Sequence, residues 1–89
     1  MGKRTFYVEF VVNAKIELDD QVIDVVDDEW RSQLYNLKTP EQIAEHIAYN
    51  MLAYDSNLAS LDGWADQPNS NARIIGYPDW DCEECKEIK

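Results

Sequence analysis

Residues 5–18 read TFYVEFVVNAKIEL, and the spacing of their apolar side chains decides the fold class. Phe6, Val8, Phe10, Val12, Ala14, Ile16 and Leu18 fall on every second position, and Glu9, Asn13, Lys15 and Glu17 between them are polar. A period of two belongs to an extended strand, whose successive side chains point to opposite faces. The even-numbered set is therefore predicted to face a core and the other set to face water. Fourteen residues exceed the usual strand length. The stretch is either one bent strand or a hairpin turning near Asn13-Ala14. Tyr7 and Val11 on the outer side point to partial cover there, or to a contact surface.

Beyond Leu18 the period changes. At about 100° per residue, Val22, Ile23, Val26, Trp30 and Leu34 gather on one side of a helix over 20–35, and Asp20, Asp24, Asp27 and Asp28 gather opposite, with Arg31 among them. Asp19 or Asp20 is the natural N-cap, and acids in the first turn suit the positive end of the helix dipole. The β-branched Val22, Ile23 and Val25 lower helix propensity, so packing has to hold this segment. In NLKTPEQ, residues 36–42, Thr39 is an N-cap, Pro40 takes the first helical position and Gln42 completes a capping-box pattern. Ile43, Ala44, Ile47, Ala48, Met51 and Tyr54 then recur at helical spacing, which predicts a helix over 40–54 packed beside the first. Gly63, Pro68 and the Asn/Ser cluster around 69–71 are loop chemistry, with Leu58, Leu61 and Trp64 folded onto the body. ARIIGY, residues 72–77, reads as a second strand ended by Pro78.

The order strand, helix, helix, loop, strand predicts a two-layer α+β fold. Its small antiparallel sheet, built from 5–18 and 72–77, is covered on one face by the helices 20–35 and 40–54. Residues 1–78 form the single domain, and 79–89 an acidic, loosely ordered tail. The length of 89 residues leaves no room for two cores, and an apolar fraction of 45% with ten aromatics is too rich for a disordered chain. Lys3 and Arg4 precede an apolar run, but Glu9 interrupts it and no cleavage pattern follows, so no secretory signal is expected. Gly2 does not open a myristoylation motif, because Phe6 stands where Ser or Thr is required. The expectation is a soluble, cytoplasmic protein that does not enter membranes.

Chemistry-bearing motifs are sparse. Cys82 and Cys85 have the spacing of half a zinc site, but His46 is the one other soft ligand, and Glu83 and Glu84 raise rather than lower the thiol pKa values. A reduced pair in the tail is expected. His46 flanks the apolar side of its helix with no nucleophile in a motif around it, which reads as a half-packed boundary residue. The acids at 27–29 and 79–81 do not match an ordered calcium loop. Three glycines supply no phosphate-binding loop. No catalytic residue, metal ligand or cofactor is assigned. Trp64, in LDGWADQ (61–67), is either a recognition residue or a core anchor.

The charge is the remaining signal. Eighteen acids against eight bases leave −10, a field that repels nucleic acid and anionic membranes and attracts basic proteins. Four aspartates on one helix face against a single Arg31 are unusual, because an ordinary solvated helix mixes signs. Such a row resembles the charge density of DNA. With its acids Asp19, Asp20, Asp24, Asp27, Asp28, Glu29, Asp79, Asp81, Glu83 and Glu84, the chain resembles the small acidic bacteriophage inhibitors of host defence, the DNA-mimicking anti-restriction and anti-CRISPR proteins. The resemblance is one of composition. It implies a non-enzymatic protein that engages a basic protein surface, including a nucleic-acid-binding site of a nuclease or defence complex, and binds no nucleic acid itself. The residues expected to meet that partner are Asp20, Asp24, Asp27, Asp28, Trp64, Asp79 and Asp81. The alternative is a small accessory domain that assembles through apolar contacts, as a homodimer or in a larger particle, with Tyr7, Val11, Trp64, Tyr77 and Trp80 as its surface aromatics and aliphatics.

Overall fold

The even-numbered residues of the first strand do meet a core, but only at its C-terminal end. In the computed structural model, which describes residues 2–89, Thr5–Leu18 is one continuous strand, β1, and Ala72–Ile88 is a second, β2. They pair antiparallel as a two-stranded sheet, from Thr5 opposite Ile88 to Leu18 opposite Ala72. No hairpin interrupts β1. Everything between Leu18 and Ala72 is therefore inserted at one end of a long ribbon, and the backbone closes there through Asp19 N–H donating to Asn71 O at 2.7 Å.

Two irregularities mark the ribbon. Between Asn13 and Lys15 the register skips Gly76, Tyr77 and Pro78 on β2, and Gly76 adopts a left-handed φ of 71°. A bulge is where a sheet tolerates both a left-handed glycine and a proline without an N–H to donate. Pro78 was expected to end the strand; here it sits in the bulge and pairing resumes at Asp79. Residues 79–88 are thus the outer half of β2 and not a loosely ordered tail. The second irregularity leaves Glu83 as the extra residue between Cys82 and Glu84, opposite Phe10 and Glu9.

The expected helix over 20–35 is two short helices, α1 (Asp20–Asp24) and α2 (Asp28–Gln33). The break has a local cause. Asp27 takes extended backbone (φ −106°, ψ −173°), and its carboxylate accepts the N–H of Trp30 at 2.8 Å, capping a new helix instead of continuing the old one. Asp19 caps α1 in the same way through Gln21 N–H. α3 spans Pro40–Tyr54, with Thr39 Oγ1 accepting from Gln42 N–H at 3.1 Å. The reciprocal half of the capping box is displaced by one residue, since Gln42 Oε1 takes the N–H of Lys38. Asp55 ends α3 in the left-handed conformation.

The core is Val22, Val26, Trp30, Ile43, Ile47, Leu58, Leu61, Trp64 and Ala72, joined at its edge by Ile16, Leu18, Ile23, Leu37 and Met51. Leu58 opens a single 3-10 turn, Leu58–Ser60, that seals the base as expected. The helices cover the ribbon only at this base. Phe6, Val8, Phe10 and Val12, expected in the core, are exposed along an arm that leaves it. The molecule measures 53 × 30 × 23 Å, and its radius of gyration is 16.7 Å, against roughly 12 Å for a compact chain of this length. The architecture is a small α+β fold with a projecting two-stranded arm. Among the described residues no helix is long and apolar enough to cross a membrane.

Candidate functional site

Cross-strand partners share a face of the ribbon, so the register sorts the arm into two unlike sides. On one side β1 contributes Phe6, Val8, Phe10 and Val12, opposite Glu87, Cys85, Cys82 and Trp80. Arg4 and Glu87 at its outer end neutralise each other in an ion pair that lowers the Glu87 carboxyl from its ordinary range and raises the Arg4 guanidinium. Phe10 and Trp80 meet edge to face with centroids 6.3 Å apart. On the other side lie Tyr7, Glu9, Val11 and Asn13, opposite Lys86, Glu84, Asp81 and Asp79. Glu9 and Glu84 stand directly opposed, an arrangement that destabilises a sheet in isolation. Two cations lie on or beside this side: Lys86 is paired with Glu84 at 3.2 Å and lies 5.7 Å from the Tyr7 ring centre, and Lys15, the next alternate residue of β1 after Asn13, lines one depression with Asn13 and Asp79.

The seven residues expected to meet a partner do not form one surface. Asp27 is engaged as a cap, and Asp28 is paired with Arg31 at 3.1 Å. Asp20 and Asp24 lie exposed on α1 without an ion-pair partner among the described residues. The four-aspartate row on one helix therefore does not exist: the break at Val25–Asp27 divides it and two of its members are occupied. Asp79 and Asp81 stand on the arm, on a different element. Trp64 is a core anchor, 1% exposed, with its indole N–H donating to Val22 O at 3.0 Å.

Glu9 and Glu84 complete the acidic side and were missed. Glu9 was legible in the alternation of 5–18, whereas Glu84 was not, because the extra residue Glu83 shifts the phase of 79–88. The apolar side was misassigned as core, because alternation reports a face and says nothing about what covers it.

His46 is half-buried against Tyr35 and Trp64, with ring centroids 4.4 Å and 6.1 Å away, and this desolvation lowers its pKa from the ordinary 6.5. An open depression beside it is lined by Asn36, Leu37, Gln42, Glu45 and Tyr49. Cys82 and Cys85 are exposed thiols on the arm. Among the described residues no three His, Cys, Asp or Glu side chains converge in a way that could hold a metal ion. Comparison with family models, curated proteins and solved structures found no match to the chain.

Proposed function

We propose that this is a non-enzymatic acidic binding protein that presents one side of its β-arm to a basic protein surface, in the manner of the phage-type inhibitors its composition resembles. The observation that supports this reading is the side formed by Glu9, Asp79, Asp81 and Glu84, where four carboxylates outnumber the two cations Lys86 and Lys15. Alternate residues on a strand repeat every ~6.7 Å, so Asp79 and Asp81 begin a row of negative charge on a stiff support. Exposed Asp20 and Asp24 on α1 add to the field. A basic groove that ordinarily holds nucleic acid is the partner such a row suits, because its lysines and arginines already lack counter-charges.

The test is retention of purified DNA-binding proteins on the immobilised protein, compared with the variant Asp79→Asn, Asp81→Asn, Glu84→Gln. The expected outcome is retention by the parent, loss of it in the variant, and a steep fall as salt rises, since exposed charges are screened over ~8 Å at physiological ionic strength. Retention equal in parent and variant refutes the proposal.

A further inference from the structure

The side of the arm opposite the acids has no occupant in its own fold. Phe6 is 51% exposed, Phe10 58% and Trp80 55%, with Val8 and Val12 exposed between them. A two-stranded ribbon is marginal in water unless a third strand or another layer covers its apolar face. Here the helices stop at the base, and the alternate set that packs Ile16 and Leu18 into the core runs on uncovered to the tip. We propose that this side docks a second copy of the chain, forming a two-fold dimer in which two arms stack face to face. The proposal is independent of the reading of the acidic side.

Charge selects the occupant. Two molecules that each carry −10 repel over most of their surfaces. Phe6, Val8, Phe10, Val12, Trp80 and Cys82 are themselves uncharged, and Arg4 and Glu87 cancel at the end of their row. Two copies can meet there without opposing like charges, whereas a basic partner is drawn to the other side. The area suffices as well. The chain exposes 6860 Å², roughly 1,500 Å² more than a compact chain of its mass, and a stable interface removes only about 800 Å² from each partner. Stacked sheets sit about 10 Å apart with side chains interdigitating. A two-fold axis then sets the Phe10–Trp80 pair of one copy against the same pair of the other, and aromatic edges and faces are suited to that contact.

The experiment is light scattering on the full chain at micromolar concentration. The expected mass is twice that of the chain, and it holds when sodium chloride is raised to molar levels. Phe10→Asp with Trp80→Asp reduces it to the single-chain mass, while the near-ultraviolet signal of Trp30 and Trp64 at the base persists. Tyr77→Ser, outside the face, leaves the dimer intact. So does the charge-neutralised variant of Asp79, Asp81 and Glu84, which separates a failure of this proposal from a failure of the acidic-side reading. As a measurement on the folded parent surface, Cys85→Ser protein treated with a short bismaleimide joins through Cys82 into a covalent dimer. Single-chain mass for the parent overturns the proposal, as does a dimer that survives both aspartates or a Cys82 that fails to cross-link.

Discussion

Gly63 shows how one backbone position organises the base of the molecule. Its φ of 98° is open to glycine and strained for other residues, and a methyl group built on it would stand 2.5 Å from the Trp30 ring. The close approach lets the Trp30 indole N–H donate to Gly63 O at 3.4 Å and brings the rings of Trp30 and Trp64 to 4.9 Å. Gly63→Ala combines backbone strain with a clash against a buried ring, so the expected loss is about 2 to 4 kcal/mol. Urea unfolding followed by tryptophan fluorescence measures it; an unchanged midpoint would mean that the loop shifts freely. The neighbouring Trp64 marks a limit of reading by residue. LDGWADQ suits a recognition loop and a core anchor equally, since exposure is decided by Val22 and Ile47, distant in the chain. Leu58 and Leu61 beside it were the cue that the loop folds inward.

At the scale of elements, Asp27 separates capping from field effects. Its carboxylate accepts the N–H of Trp30 in the first turn of α2 and so holds Trp30 at the core. Asp27→Ala is expected to lower stability by about 1 kcal/mol, whereas Asp24→Ala, at an exposed position with no ion-pair partner among the described residues, changes it by less than ~0.5 kcal/mol. Equal losses at both sites, read from the same denaturation curves, would show that Asp27 acts through charge and not as a cap. The break it creates was hidden in the sequence, because α1 and α2 keep the helical phase across it and Val22, Val26 and Trp30 still share one side. α3 was legible to its ends, since Thr39, Pro40 and Gln42 are start signals whose chemistry is local. β1 was legible as a strand for the same reason. What remained unreadable was cover and partnership. Pro78 and five acids disguised the outer half of β2, which is a strand because β1 supplies its hydrogen bonds.

The whole molecule carries its charge on an extended body, and this sets its response to salt. Ion pairs of Arg4, Arg31, Arg73 and Lys86 tie up Glu87, Asp28, Glu17 and Glu84, all on side chains that reach solvent. Exposed pairs of this kind contribute ~0 to 1 kcal/mol each and weaken as salt rises. Opposing them is the self-repulsion of a chain at −10, with Glu9 against Glu84 on the arm and the aspartates of 19–28 crowded at the base. Salt weakens both effects, and repulsion involves many more pairs than attraction does. Raising sodium chloride from a few millimolar to physiological strength should therefore raise the midpoint of thermal unfolding. The proposed association through the arms is expected to make the response larger, because two copies bring their acidic fields together while apolar contacts between them lose nothing to screening. Thermal scans of the parent and of Phe10→Asp, Trp80→Asp across a salt series separate the two contributions. The parent should gain more than the variant, and a midpoint that falls with salt in both would place the four ion pairs, and not the excess of acids, in control of stability.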